Sequence, residues 1–205
     1  MVSAAHLIKL FEAWRLPEGA NVIMLPGRIT RWKGHHVVIE ALELLKRNDL
    51  FCVFIGSDQG RKDYREELEK TISEKNLGSQ IRIIDHCHDM PAAYMLSTIV
   101  VCPSTDPEGF GRVPVEAQAM GRPIIATNHG GAQDTISPNE TGWLIPPNDS
   151  KALAQAIDEV LRLDANQRSI LATRAMSHVA KHFTCEQMID ATLNVYAELL
   201  QEKYQ

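Results

Sequence analysis

The chain has 205 residues, 44% apolar and 23% charged, enough to bury one substantial core without disulfides or metals. Its formal charge of −5, from 21 basic and 26 acidic residues, argues against nucleic acid or an anionic membrane surface as the main partner. No apolar run approaches the ~20 residues of a membrane span. The opening Met1-Val2-Ser3-Ala4-Ala5-His6 lacks a basic segment leading into a long apolar one. The expectation is a cytoplasmic protein without a secretory leader.

Short apolar runs alternate with amphipathic stretches in chain order. A first helical stretch, His6–Trp14, precedes a strand at Val22–Leu25. The spacing of Val38, Leu42 and Leu45 then predicts a helix over His35–Arg47. A strand at Cys52–Ile55 is followed by a charge-laced helix at Asp63–Lys75, with Leu68 and Ile72 on its inner side. Strands at Ile81–Ile84 and Ile99–Cys102 each lead to a helix opened by a proline, Pro91–Ser97 and Pro114–Met120. Strands at Pro123–Ala126 and Trp143–Ile145 complete the series. This alternation predicts an α/β protein: a three-layer α/β/α sandwich with a mostly parallel sheet of about six strands. With no internal repeat and no low-complexity linker, residues 1–205 read as one domain.

After Ile145 the pattern becomes helical. Asp149 or Ser150 can cap a helix over Lys151–Leu163, and helices over Asn166–His182 and Cys185–Lys203 follow. In the last of these, Met188, Ile189, Leu193, Tyr196, Leu199 and Leu200 form an apolar stripe. Such a stripe is by default core, although it and the first helix could also face something outside this domain.

The four cysteines, Cys52, Cys87, Cys102 and Cys185, form no C-x-x-C pair. Cys52 and Cys102 sit in apolar runs, where a thiol behaves as a small hydrophobe. His86-Cys87-His88 looks like a metal fragment but has no second ligand cluster at zinc-site spacing, so a loop is the better reading.

In open parallel sheets, ligands gather beyond the carboxyl ends of the strands. After Leu25, the segment Pro26-Gly27-Arg28-Ile29-Thr30-Arg31-Trp32-Lys33-Gly34 places three cations between glycines and ahead of a helix N-terminus. Phosphate binding by Arg28 and Lys33 and a solvated basic turn fit this segment equally well. The loops Gly56–Gly60 and Asp85–Met90 leave the same sheet edge. The loop Pro103–Glu116 is more informative. Gly109-Phe110-Gly111 makes a tight turn whose amides can converge on an oxygen, Glu108 precedes it, and Glu116 lies in the helix beyond. Two carboxylates flanking a phosphate cradle suit a sugar–phosphate ligand; a surface acid and a dipole-complementing acid are the plainer alternative. Gly130-Gly131 offers a further set of amide donors before a helix. Neither G-x-G-x-x-G after the first strand nor G-x-x-x-x-G-K-[ST] is present.

These residues resemble a known family. Glu108-Gly109-Phe110-Gly111 with Glu116-Ala117 resembles the E-x7-E element of retaining group 1 glycosyltransferases, and Gly27-Arg28 with Trp32-Lys33-Gly34 resembles their diphosphate loop. Met120–Ala126, Gly130-Gly131 and Thr141–Pro147 match in the same order, so the resemblance runs from about Leu16 to Leu200. It implies the Rossmann-like, C-terminal donor-binding half of the two-domain GT-B fold, with an acceptor-binding N-terminal half not represented here. The implied donor is a UDP-, GDP- or ADP-sugar, with no further cofactor and no metal, in keeping with the lack of a D-x-D.

The resemblance also implies roles. Arg28 and Lys33 would hold the diphosphate, Glu116 the ribose hydroxyls, and Glu108 with the amides of Gly109, Phe110 and Gly111 would face the transferred sugar. Gly27, Gly130 and Gly131 would border the cleft, and the loop at His88-Asp89-Met90 would lie near the base. Asp134 stands where the family has a longer Glu. A glycan or lipid-linked acceptor, and any peripheral contact with a membrane, would belong to the other half. The competing expectations are a non-catalytic nucleotide-sugar-binding module and a sugar-nucleotide epimerase of the same architecture.

Overall fold

The computed structural model describes residues 2–203, with side chains through Gln201; Met1, which opens the N-terminal stretch read above, lies outside them. Six strands form one all-parallel sheet: β1 (Asn21–Pro26), β2 (Leu50–Ile55), β3 (Ile81–Ile84), β4 (Ile99–Cys102), β5 (Ile124–Thr127) and β6 (Trp143–Ile145). Their spatial order is β3-β2-β1-β4-β5-β6, so the winding direction reverses between β1 and β4. All six expected strands are present to within two residues.

The strands read as unbroken apolar runs because both sheet faces are covered. Alternate residues of β1 enter different cores. Ile23 and Leu25 pack with Val38, Leu42, Phe54, Leu68 and Ile157. Val22 and Met24 pack on the opposite face with Val53, Tyr94, Val100 and Ala117. The first face is covered by α2 (His35–Leu45), α3 (Lys62–Glu74) and α7 (Ser150–Arg162); the second by α1 (Ala4–Ala13), α4 (Met90–Leu96) and α5 (Arg112–Ala119). Helix α7 shows why the local sequence folds this way. Leu153, Ala154, Ala156, Ile157 and Val160 are its buried stripe, and Asp149 caps it by accepting from the Ala152 amide at 2.8 Å.

The 3-10 turn Arg31–Lys33 escaped the sequence reading, and the helix expected after Gly130-Gly131 is the four-residue α6 (Ala132–Thr135). Neither is long enough to display a periodicity. Helix α8 (Ala165–His182) opens with a capping box between Asp164 and Gln167 and packs against α5.

The last helix, α9 (Cys185–Lys203), corrects an expectation. Its apolar stripe is not core: Met188, Ile189, Leu193, Tyr196, Leu199 and Leu200 are all at least half exposed. Helical periodicity reports an apolar face, not what covers it, and among the described residues that face is left largely open. Helix α1 likewise has no fully buried residue, although Leu10 and Phe11 lean on the second core. No helix among the described residues is long and apolar enough to cross a membrane.

Candidate functional site

At the reversal point, the chains leaving β1 and β4 run side by side before turning into α2 and α5. This is the crevice that an open α/β sheet offers to a ligand. The two loops are fastened by backbone contacts. The Thr105 amide donates to the Trp32 carbonyl at 2.7 Å, and Gly34, at φ 73°, sits against Pro103. A Cβ on Gly34 would fall 2.0 Å from the Pro103 oxygen, so only glycine allows this approach.

The fastening brings together two residues that lie 75 positions apart. Lys33 Nζ donates to Glu108 Oε1 at 2.7 Å, with the side chains only 9% and 17% exposed. Ser104 Oγ donates to the same oxygen at 2.5 Å, and the Cys102 thiol approaches it at 3.4 Å. Burial alone would push the Glu108 carboxyl up, but the hydrogen bonds from Lys33 and Ser104 and the lysine charge outweigh it. The net effect holds the acid below the usual carboxylate range. Cys102 is pushed up to about 12, by burial and then by the Glu108 charge, and so remains a thiol. Lys33 Nζ also lies 4.4 Å from the Trp32 ring centre, and the Arg28 guanidinium 5.8 Å from it.

Not all three cations of the first loop belong here. Arg31 turns to α3, where its guanidinium grips both oxygens of Glu67 and lies over Tyr64. Arg28 is exposed and Lys33 buried, so the two meet the crevice from different depths. Gly27 continues the sheet, donating to the Ile55 carbonyl at 2.8 Å, and its missing side chain makes room for the Lys33 stem at 3.3 Å.

The turn Gly109-Phe110-Gly111 stands at the rim. Its three amides have no acceptor among the described residues. Phe110 is 51% exposed and leans edge-on toward Phe183, beyond α8, at 5.9 Å. Of the glycine pair, the Gly130 amide has no acceptor among the described residues. The Gly131 amide is already spent on the Glu108 carbonyl at 2.9 Å, so it is not a free donor. What the pair supplies is space. A Cβ on Gly130 would lie 2.4 Å from the Glu108 carbonyl, and one on Gly131 2.2 Å from that of Phe110.

Glu116, one turn into α5, accepts from the Tyr94 hydroxyl at 2.8 Å and has Arg112 Nε 3.6 Å away. Burial and the Glu116 charge push the Tyr94 phenol well up, so it remains a donor. Met90 begins α4 and packs on the second core, four residues before Tyr94, placing the His88–Met90 loop on the Glu116 side of the crevice. Asp134 is exposed. His86 and His88 hydrogen-bond each other at 3.2 Å.

The sequence reading missed Ser104, Tyr94 and the neighbours Thr127 and His129. These last two line a small pocket with Cys102, Ser104 and Glu108, and Thr127 Oγ1 and His129 Nε2 are buried there without partners. The available signal was a tyrosine inside a short apolar helix, whose hydroxyl must find a partner when buried.

The family model described as glycosyl transferases group 1 matches residues 8–178. Among curated relatives, the D-inositol 3-phosphate glycosyltransferase 1 of Catenulispora acidiphila is 30% identical over 195 residues, 91% of this chain and 46% of its own. The crystal structure of a glycosyltransferase from Rickettsia africae superimposes with a TM-score of 0.94 at 34% identity, covering 97% of this chain and 53% of that one. Anabaena HepE in complex with UDP and glucose gives 0.86 at 28% identity, over 94% and 53% of the two chains. The C-terminal domain of a Francisella tularensis group 1 glycosyl transferase gives 0.74 at 30% identity, over 86% of this chain and 92% of that domain. The chain thus spans about half the length of the full-length relatives it matches.

Proposed function

The chain belongs to the group 1 glycosyl transferase family, and on that premise we propose that it is the donor-binding half of a retaining glycosyltransferase. It binds a nucleotide-diphosphate hexose and, with an acceptor-binding half, transfers the sugar with its anomeric configuration kept. The observation that carries this reading is the Lys33–Glu108 contact of 2.7 Å across the reversal point of the sheet. It sets a cation and a carboxylate side by side where a diphosphate and the sugar attached to it would meet.

In this reading Arg28 and Lys33 hold the diphosphate and neutralise the charge that grows on it as the glycosidic bond breaks. The amides of Gly109, Phe110 and Gly111 and the start of α5 add donors with a favourable dipole. Glu116, fixed by Tyr94, accepts from the ribose hydroxyls, and the loop at Met90 borders the base. Glu108 accepts from the transferred sugar. The donors all lie on this chain, whereas the acceptor must be held from the other side of the cleft, so the isolated chain binds donor but turns over little. The superposition on HepE, solved with UDP and glucose, supports a UDP-sugar as the first candidate. The exposed stripe of α9 and the outer face of α1 are where the other half docks.

Calorimetry with UDP, GDP and ADP and their hexose conjugates tests this. One base series binds, and Lys33→Ala or Arg28→Ala weakens it at least about tenfold through loss of a charge-assisted contact. Unchanged affinity in folded variants overturns the assignment. Fusion to the N-terminal half of the Rickettsia africae relative should create sugar transfer that the chain alone lacks. Epimerised free donor would instead favour an epimerase.

A further inference from the structure

We propose that Ser104 is a positioning residue that holds Glu108 by one oxygen and so reserves the other for a hydroxyl of the transferred sugar; this rests on the donor-site reading above. Ser104 is 2% exposed and follows the end of β4 by two residues, so its hydroxyl is placed by the end of the sheet. Ser104, Lys33 and Cys102 all converge on Oε1 of Glu108, and no described residue engages Oε2.

The three donors are not equivalent once a diphosphate arrives. Lys33 is the only charged one, and a diphosphate competes for it directly. As Lys33 shifts toward phosphate, a carboxylate held by lysine alone would be left partly desolvated and free to rotate, and a charge buried without a partner is costly. The Ser104 hydroxyl cannot follow the phosphate. It continues to donate to Oε1, backed by the Cys102 thiol, and keeps Glu108 ionised in one rotamer. Ser104 thereby allows one lysine to serve the apo acid and the bound diphosphate in turn.

Ser104→Ala and Ser104→Thr test this in the intact chain. The probes are UDP with UDP-glucose, GDP with GDP-mannose, and ADP with ADP-glucose. In wild type the hexose conjugate binds with some advantage over its nucleoside diphosphate. Ser104→Ala should shrink that advantage roughly tenfold, the scale of a hydrogen bond to a charged group, and Ser104→Thr should restore it. A ligand-free readout runs alongside: the carbon-13 carboxyl resonance of Glu108 should titrate at higher pH in Ser104→Ala and return toward wild type in Ser104→Thr. A binding advantage and a titration that both stay unmoved in a folded Ser104→Ala overturn the role of Ser104. Failure of all three ligand pairs to bind wild type overturns the donor-site reading itself and the sugar-binding part of this inference with it.

Discussion

The two ends of this domain use apolar and small residues in opposite ways. Along the reversal edge of the sheet, backbone meets backbone so closely that Gly34 and Gly131 tolerate no Cβ, and Lys33 is almost wholly enclosed. On α9, side chains of equal or greater apolarity stand in solvent, with Leu193 58% and Tyr196 60% exposed. The difference teaches that glycines let backbone meet backbone at the candidate site, while helical periodicity alone does not bury an apolar face. The apolar stripe of α9, by contrast, stays open to solvent.

The contrast breaks most sharply at the glycines. Gly34→Ala should cost about 3 kcal/mol or more in urea unfolding, since it adds an atom 2.0 Å from the Pro103 carbonyl at a left-handed φ. Gly109→Ala, with nothing within 4 Å of the added atom, should change stability little. Equal costs at the two positions would mean that the loops can part without strain.

A second test is pH. His35 opens α2 directly behind Lys33 and is fully buried against Phe54, with ring centres 5.0 Å apart. Burial pulls its pKa down from 6.5 to about 3. It is therefore neutral when folded, while the unfolded chain takes up a proton near pH 6.5. Stability should be unaffected above that pH and fall as pH drops from 6.5 towards 3. Thermal melts of His35→Leu should show a shallower loss across the same window; an identical slope would assign the acid sensitivity elsewhere.

The smallest effect sharpens the other side of the comparison. Leu193→Ala on α9 should alter unfolding free energy by under about 0.5 kcal/mol, whereas Ile157→Ala in α7 should cost ~2–5 kcal/mol. In the two-half fusion the order should narrow, as the proposed docking of the other half on α9 would place Leu193 in an interface. A large cost for Leu193→Ala in this chain alone would mean that α9 folds back onto the domain.

Most of the architecture was legible beforehand because both of its signals are local. An all-parallel sheet needs fully apolar strands, as in Leu50–Ile55, and surface helices need a one-sided stripe, as in Ser150–Arg162. The glycine-flanked loops were legible as well, since Gly27, Gly109 and Gly111 interrupt an otherwise regular alternation. The partners of the candidate residues were not. Nothing near Glu108 in sequence announces Lys33, and nothing near Glu116 announces Tyr94. Arg31 and Lys33 are indistinguishable as charges two residues apart, yet the 3-10 turn sends one to Glu67 and the other to Glu108.

The sequence by itself therefore determined the layers, the strand edge at which a ligand would bind and the residue types available there. Tertiary structure decided which of those residues meet, that the Gly131 amide serves Glu108 and not a ligand, and that the last apolar stripe is left uncovered. The physical reason is range. Periodicity and turn chemistry act over a few residues, whereas a buried ion pair between residues 75 positions apart exists only once β1 and β4 have been laid side by side and the solvent between their loops has been excluded.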